Sequence, residues 1–500
     1  MKKILNFRLL VAVAISIILG IVACNFRPFL KGLGVAILFI LALIFLGVSF
    51  FIFRGVKIKL RIFIVALCFI SSIVGYYRFY GYISRFNDSA VQSGDYTVSG
   101  TVKDISFTEK GKRVILKNCR YDGTAGANLL FYGAENTEID LGDDITVKLT
   151  VTPSQKEIYG KYSYYALENI GLIGTNPDSI SVDGNSGGIF NRVRRKIKSV
   201  IVGSDDEISG VALALILGDT SRLTYNEKEN FRLGGIAHVF AVSGLHIGLL
   251  FLALVAMLKP ARLSIWIKNF IIFIAVLFYS GACGFSPSSL RASLTAGAYL
   301  TARCFGEKPD GINGLSLASI IISLVNPKDV LGAGFVLSFT VCFFVLTLCP
   351  PISRKTKVLG EKFSLAFSVV LTAELSAFPV LITNFGKFPV VSLISNLALI
   401  PVVTMTFYVL WIAVILSLVL PILSFSLFLP LVLLKGVYGI TTALSAFGSV
   451  TVFPKILTVP YYTSLVLSSD LINVEAKKKK IFLSSVAIII IYCAIFSLFY

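Results

Sequence analysis

Histidine is almost absent from this chain, which carries only His238 and His246 among 500 residues. So few imidazoles exclude any centre that needs a larger histidine set. The eight cysteines, at positions 24, 68, 119, 283, 304, 342, 349 and 493, form no Cys-x-x-Cys pair, so neither a disulfide framework nor a thiolate metal site is indicated. The chain also lacks a Gly-x-x-x-x-Gly-Lys-Ser/Thr loop, which excludes a P-loop ATPase within it.

Charged residues are scarce as well. They make up 15% of the chain against 56% hydrophobic residues, and the mean hydropathy is +0.84. Apolar runs recur near the length, about 20 residues, that a helix needs to cross a bilayer. The sequence therefore predicts a polytopic α-helical membrane protein. Predicted spans cover residues 4–23, 33–53, 60–77, 236–258, 265–283, 290–305, 315–325, 330–349, 363–383, 402–420, 425–447 and 481–499, with residues 393–401 as a candidate re-entrant segment.

One stretch without spanning runs interrupts the helices. The basic turn at residues 54–61 is assigned to the cytoplasm, because cytoplasmic loops carry an excess of Lys and Arg. The N-terminus is then cytoplasmic, and the stretch that follows the third helix is extracytoplasmic. Residues 85–183 hold ten basic and fourteen acidic residues, a net charge of −4, although the whole chain carries +19. Alternating apolar and polar residues with Gly and Asp turns predict a small β-barrel of the OB kind.

A strongly basic segment follows the predicted barrel. Phe190, Val193, Ile197 and Ile201 share one helical face, which predicts an amphipathic interfacial helix. The remaining faces are basic and are expected to contact DNA phosphates or anionic lipid; they carry Arg192, Arg194, Arg195, Lys196 and Lys198. The predicted units are residues 1–84 with three helices, 85–185 with the OB-like domain, 186–204 with the interfacial helix, and 205–500 with the main membrane domain.

The two histidines lie in one apolar run, His238-Val-Phe-Ala-Val-Ser-Gly-Leu-His-Ile-Gly248. Titratable groups at membrane depth are costly and often functional. On a continuous helix these two positions would be about 12 Å apart along the axis and about 80° around it. A shared metal ion is therefore not expected. The glycines Gly244 and Gly248 favour a break that lines a polar cavity.

Two other interpretations of this run stay open. Ser243 beside Gly244 nearly matches the Gly-x-Ser-Gly of rhomboid intramembrane proteases, in which a histidine on a later helix is the base, but no histidine follows His246. The Gly-x-Ser-x-Gly elbow of other hydrolases also fails, since position 241 is Ala and position 245 is Leu. Alternatively, the small residues only allow close helix packing.

The run resembles the signature of the ComEC-type competence proteins, polytopic channels that pass single-stranded DNA through the cytoplasmic membrane. The resemblance extends to most of the chain. Upstream, residues 215–221 resemble the family's Gly-Asp segment. Downstream, matching motifs follow in the family's order at residues 290–292, 326–327, 334–339, 385–386 and 396–401. The OB-like insert after the first helices is similar too.

The resemblance gives further residues an expected role along the path of the DNA. Arg291 follows Ser286-Pro-Ser-Ser289 and is expected to meet a passing phosphate or to reach the membrane surface. Glu374 is an intramembrane carboxylate that needs a partner, with Arg291 or a histidine as candidates. Asn396 and Pro401 resemble a broken, pore-lining segment. The expected path comprises His238, Ser243, Gly244, His246, Gly248, Arg291, Glu374 and Asn396.

The resemblance also has limits. Many family members continue into a metallo-β-lactamase-like nuclease domain whose site alone needs three histidines, so two histidines predict a form without that domain. The family's Asn-Pro-Gly-x-Phe-Asp-Tyr stretch has only Gly160-Lys-Tyr-Ser-Tyr-Tyr165 as its counterpart. A nuclease step is then expected to be absent here or to be supplied by a separate protein.

The leading hypothesis is a non-enzymatic channel of the cell membrane for single-stranded DNA in natural transformation, with no catalytic residue, no metal and no cofactor. Its expected partners are single-stranded DNA, membrane lipids, an ATPase or helicase, a DNA receptor and a separate nuclease, and a homo-oligomer is left open. One alternative is an intramembrane serine hydrolase using Ser243 with His238 or His246. The other is a transporter or flippase for small anions or lipids.

Overall fold

The computed structural model describes residues 8–26, 58–86, 92–108, 111–133, 139–158, 161–185, 188–203, 208–240, 243–471 and short helical pieces between 481 and 493. The predicted span at residues 33–53 lies outside these ranges, as does part of the span at 481–499. Two helices begin the described chain, α1 (Leu9–Asn25) and α2 (Ile58–Ile83). They cross closely, because Gly20 on α1 and Gly75 on α2 each lie against the backbone of the other helix.

A closed five-stranded barrel follows α2. Its strands are β1 (Gly94–Thr108), β2 (Gly111–Tyr121), β4 (Asn128–Tyr132), β5 (Asp143–Pro153) and β8 (Ile170–Asn185). The order is β1-β5-β8-β4-β2, and pairing of β1 with β2 closes the barrel. Only β4 and β8 run parallel among these pairs. Short elements complete the unit: β3 (Thr124–Ala125), β6 (Glu157–Ile158), β7 (Lys161–Tyr162) and α3 (Tyr164–Glu168).

Alternation of side chains builds this barrel as the sequence predicts. Residues two apart on a strand share a face, and Ile145, Val147, Leu149 and Val151 on β5 all point into the apolar interior. The prediction of an OB-like insert between membrane helices is confirmed.

The remaining described chain is helical except for one small two-stranded antiparallel sheet. Its helices are α4 (Ile189–Val202), α5 (Ser209–Leu217), α6 (Tyr225–Leu233), α7 (Ala237–Phe240), α8 (Gly244–Leu258), α9 (Ile265–Ala282), α10 (Pro287–Cys304), α11 (Gly311–Val325), α12 (Ala333–Thr347), α13 (Cys349–Thr356), α14 (Glu361–Phe385), α15 (Ser392–Val419), α16 (Phe428–Leu444) and α17 (Thr458–Ser468). Strands β9 (Phe388–Pro389) and β10 (Ser449–Val450), which are distant in sequence, form this sheet. Five 3₁₀ turns, Pro327–Leu331, Lys357–Leu359, Pro421–Leu427, Ser445–Phe447 and Lys455–Leu457, join helices in this part.

Within the described ranges, five helices are long and apolar enough to cross a membrane: Ile62–Ile83, Ile265–Ala282, Glu361–Phe385, Ser392–Val419 and Pro421–Phe447. The bent pair Ala333–Thr347 and Cys349–Leu359 makes a sixth if it is one span. Shorter apolar helices, Leu9–Asn25, Gly244–Leu258 and Gly311–Val325, lie among them. The chain is a membrane protein with several spans, as predicted.

The barrel lies against one end of the helical bundle, called here the insert end. Glu168 of the barrel forms an ion pair with Lys328, 2.6 Å away in the turn that follows α11. The Tyr82 hydroxyl on α2 donates to the Leu167 carbonyl oxygen at 2.8 Å. At the opposite end Arg8, which precedes α1, pairs with Asp310, which precedes α11. Helices α1, α2 and α11 therefore run from the opposite end towards the barrel.

Two predicted segments have different bounds in the structure. Residues 393–401 do not form a separate re-entrant or broken piece, because α15 is continuous from Ser392 to Val419 through Pro401. The run at residues 236–258 is not one helix: α7 ends at Phe240 and α8 begins at Gly244. The break between α7 and α8 falls inside the histidine run, immediately before Gly244, the glycine that favours it.

Candidate functional site

The histidine run is organised around the first turn of α8. Ser243 is the N-cap, and its hydroxyl accepts a hydrogen bond from the Leu245 N–H at 3.2 Å. His246, at the third helical position, accepts the Ser243 N–H on Nδ1 at 3.2 Å. This is a capping box in which histidine takes the place of the usual Glu or Gln. His246 is 1% exposed, and its ring packs edge-on against Phe407 at 5.3 Å between centroids.

Helix α8 is too short to cross a bilayer. Its 15 residues extend about 22 Å, whereas the hydrocarbon core is about 30 Å thick. The helix ends before Lys259 and Arg262, basic residues that mark a membrane surface. If its last turn lies at that surface, the first turn of α8, with Ser243 and His246, lies within the membrane.

Arg291 lies against this first turn. It is the fifth residue of α10, whose start is at the insert end, and it is only 7% exposed. A Cβ atom placed on Gly244 would lie 2.5 Å from Nη2 of Arg291. The Arg291 Nε donates to the hydroxyl of Ser338 on α12 at 2.5 Å, and Ser338 in turn donates to Ser288 at 3.2 Å. Gly244 is thus the position that allows the guanidinium to approach the start of α8.

The electrostatics of this contact favour an anion. In the part of the chain that the structure describes, no carboxylate pairs with Arg291. The N-terminus of a helix carries a partial positive charge from its free N–H groups. A buried cation beside the positive end of a helix is costly unless an anion joins them. The arrangement is suited to a phosphate group, which a guanidinium binds through two parallel hydrogen bonds.

A second buried group surrounds Glu374 on α14. Its carboxylate accepts from the Ser392 hydroxyl at 2.9 Å and from the Asn396 side-chain amide at 2.7 Å. The same Asn396 amide nitrogen lies 3.3 Å from the Gly235 carbonyl oxygen. The expectation that Glu374 pairs with Arg291 or a histidine is wrong. Its partners are neutral donors near the start of α15, where the helix dipole also favours an anion.

We expect Glu374→Leu to lower the apparent melting temperature of the detergent-solubilised protein by about 5 °C or more, because it leaves two buried donors without an acceptor. Glu374→Gln keeps one acceptor oxygen and should have a smaller effect. The matched control is Glu361→Gln on the same helix, since the Glu361 side chain is 87% exposed. Thermal unfolding in detergent is the measurement. Equal melting temperatures for the Leu variant and the control would contradict a structural role for these hydrogen bonds.

The amphipathic helix α4 lies across the insert end of the bundle and packs on α5, α9 and α15. Two of its five basic residues point inward. Arg194 forms an ion pair with Asp219 at 3.0 Å, and both side chains are buried. Lys198 pairs with Asp140 of the barrel. Arg192 and Lys196 are exposed and Arg195 is half-buried, so these three remain for contact with DNA or lipid, which stays a prediction.

The Arg194–Asp219 pair joins α4 to the turn after α5. Gly218 ends α5 in a left-handed conformation, and Asp219 accepts the Ser221 N–H at 3.0 Å. Burial raises the pKa of Asp219, but Arg194 and the Ser221 hydrogen bonds outweigh it, so the pKa lies below its usual value. Asp219 is therefore a charged structural residue of this turn.

A lowered folded-state pKa stabilises the protein at pH values above the unfolded pKa of about 3.9 and loses that contribution as pH falls through the folded value. We therefore expect the melting temperature of wild type to exceed that of Asp219→Asn by a constant interval between about pH 7 and pH 5. The interval should narrow below about pH 4. Asp178→Asn, on the exposed part of β8, is the control. An interval that does not change with pH would exclude this charge as the cause.

Six of the eight predicted path residues fall into two groups in the structure. One group lies at the first turn of α8 and consists of Ser243, Gly244, His246 and Arg291. The other group consists of Glu374 and Asn396, which lie beside Gly235. His238 lies on α7, with an exposed side chain, and a Cβ on Gly248 would have open space around it. Within the described residues no three His, Cys, Asp or Glu side chains are grouped as metal ligands.

The sequence alone did not single out two hydroxyl residues of these groups. Ser338, which holds Arg291, lies inside the matched motif at residues 334–339, so the motif contained the signal. Ser392, which holds Glu374, stands before the Asn396 motif and carries no comparable signal.

Comparison with known proteins adds an independent observation. The sequence model of a family described as Competence protein matches residues 215–472, just over half of the chain. ComE operon protein 3 of Bacillus subtilis (strain 168) is 28% identical over 196 residues, which are 39% of this chain and 25% of that protein. Competence protein ComA of Neisseria gonorrhoeae is 28% identical over 258 residues, covering 47% of this chain and 36% of that protein. No solved structure matches. These alignments thus span about a quarter to a third of the relatives' length.

Proposed function

The chain belongs to the competence protein family, and on this premise we propose that it is a channel that passes single-stranded DNA across the cytoplasmic membrane during natural transformation. The description of the family and the name of the Neisseria gonorrhoeae relative both contain the word competence, which supports a role in DNA uptake. The function needs a membrane protein with several spans, and the helices meet that need.

One observation carries the proposal: Arg291, buried and without a carboxylate partner among the described residues, faces the start of α8. The Arg291 guanidinium and the partial positive charge at the N-terminus of α8 repel each other unless an anion lies between them. A DNA phosphate is an anion of the right geometry. Short helices whose N-termini point at an anionic substrate within the membrane are a known feature of transport proteins. His246 and Ser243 form the rigid cap that fixes this helix end.

The orientation and the partners are part of the proposal. The barrel lies outside the cell and the N-terminus is cytoplasmic. The concentration of Lys259, Arg262, Arg303 and Arg354 at the ends of helices away from the barrel supports this, because basic loops face the cytoplasm. Energy comes from a partner ATPase or helicase, DNA arrives from a receptor, and a separate nuclease removes the second strand. Arg192 and Lys196 contact DNA or anionic lipid.

Purified protein in sealed liposomes tests the proposal. A short fluorescent single strand, added outside, should become protected from added nuclease in vesicles that contain the protein, and a duplex of the same length should not. Empty vesicles and vesicles that contain an unrelated membrane protein are the controls. Equal protection of strand and duplex, or none, would contradict a single-strand channel.

A specific contact favours one second candidate, an intramembrane serine hydrolase. The Ser243 hydroxyl lies 3.1 Å from Nδ1 of His246, a distance suited to proton transfer. However, Nδ1 already accepts the Ser243 N–H, and the hydroxyl accepts the Leu245 N–H. The pair is accounted for by helix capping, so we expect no labelling of the protein by a fluorophosphonate probe. Labelling that disappears in Ser243→Ala would favour the hydrolase.

A further inference from the structure

A cleft of about 340 Å³ lies between the barrel and the membrane helices. The barrel contributes Ile105 and Ser106 of β1 together with Leu141. The bundle contributes the turn after α5 and the loop before α10. The volume is at the lower end of the range for small-molecule sites, about 300–1,000 Å³. It is therefore suited to a unit as small as one nucleoside.

Charge does not select the occupant of this cleft, because its charged side chains are already paired within the protein. Arg194 pairs with Asp219 at 3.0 Å, Asp104 pairs with Arg113 at 3.0 Å, and Asp140 pairs with Lys198. Lys103 is 3.5 Å from Glu168. A phosphate would have to compete with these carboxylates, whereas an uncharged polar group would not.

The remaining lining is suited to a base and its sugar. Residues that carry hydroxyl groups are among those that line the cleft: Ser106, Thr220, Ser221 and Ser286. The Ser106 hydroxyl oxygen is itself buried, and it has no hydrogen-bond partner within the described ranges. Ile105 and Leu141 supply apolar surface for the face of a base. Gly218 and Gly284 both adopt positive φ, +65° and +81°, and without side chains their backbones stay open to the cleft.

The cleft leads to the Arg291 site. Ser286, which lines it, is the N-cap of α10, and Arg291 lies about 7.5 Å further along that helix. Ion pairs hold the barrel and the bundle together around the cleft: Lys198 with Asp140, and Glu168 with Lys328. Burial raises the pKa of Glu168, but Lys328 and Lys103 outweigh it, so the pKa is lowered and the pair stays charged at neutral pH.

From these contacts we infer that the cleft between the barrel and the bundle binds one nucleoside unit of the incoming single strand, through its base and sugar, before the adjoining phosphate reaches Arg291. The inference rests on the proposed function and adds to it a binding position for the uncharged part of the substrate. It also gives the barrel a direct role as one wall of the entrance.

Photo-crosslinking tests the inference. A single strand that carries 4-thiothymidine is bound to the purified full chain in liposomes, irradiated, and the crosslinked peptides are identified by mass spectrometry. Crosslinks to the peptides with Ile105 and Leu141 are expected. Ser106→Trp, which fills the cleft, should reduce them and strand entry by about tenfold or more. Ser179→Trp, on the exposed part of β8, should leave both unchanged.

The outcomes separate this inference from the proposed function. Strand entry with crosslinks near Arg291 but none in the cleft would overturn the cleft as a binding position and leave the channel intact. No strand entry and no crosslink anywhere would overturn both. Because the crosslinks are measured first on the wild-type chain, the result does not depend on correct folding of the Trp variant.

Discussion

Arg291→Gln will reduce uptake of single-stranded DNA by at least about 30-fold, because removal of one partner of a buried charged contact costs about 2–5 kcal/mol. Glutamine has the size to keep a hydrogen bond to Ser338 but carries no charge to hold a phosphate. Arg291→Lys restores the charge without the two-pronged geometry of the guanidinium and should give an intermediate loss. Transformation frequency, with membrane expression verified, is the measurement.

The matched control for this prediction is Arg303→Gln, which removes an exposed arginine from the last turn of the same helix. Binding of a fluorescent single strand to the purified protein gives a second readout. Each lost phosphate contact reduces the slope of log K against log salt by about 0.7 for single strands. Equal uptake and equal slopes for the Arg291 and Arg303 variants would show that Arg291 does not contact the strand.

Gly244→Leu will produce the second large loss, a fall in uptake of about tenfold or more, because overpacking of this kind costs about 1–3 kcal/mol. The first atom of the new side chain would lie 2.5 Å from the Arg291 guanidinium, so the guanidinium must move away from the start of α8. The substitution changes the position of the guanidinium and not its charge. Transformation frequency measures the resulting loss of uptake.

Gly248→Ala is the matched control for this second prediction. It lies one turn further along α8, and a Cβ there meets no atom within 4 Å. Alanine also favours a helix by about 1 kcal/mol over glycine, so expression and uptake should be unchanged or slightly improved. Equal losses at both positions would indicate that α8 tolerates no side chain at either glycine, and the proposed role of Gly244 would not stand.

Most of the fold follows from patterns visible in the sequence. Apolar runs predict the membrane helices because a bilayer requires a fixed length of apolar helix, and strict alternation on β5 predicts the barrel because its inner face is apolar. Bounds within membrane runs are harder to predict. The run at residues 236–258 is apolar throughout, and it breaks before Gly244 because Ser243 and His246 cap a new helix.

The long-range contacts of the site are the least predictable part. Arg291 and Gly244 are distant in sequence and meet only through the packing of α8 on α10. Glu374 needs a partner in any membrane protein, but hydropathy cannot choose between Arg291 and two neutral side chains on α15. The sequence pattern places Arg194 on an exposed basic face. In the structure it is buried, because it pairs with Asp219 in a separate turn.

The central claim is that this chain passes one strand of DNA past Arg291, and strand-resolved uptake tests it most directly. Donor DNA labelled on one strand or the other is supplied to cells that lack the native gene and express wild type, Arg291→Gln or Arg303→Gln. We expect internal label from a single strand per molecule with wild type and Arg303→Gln, and almost none with Arg291→Gln. Label from both strands, or full uptake with Arg291→Gln, would contradict it.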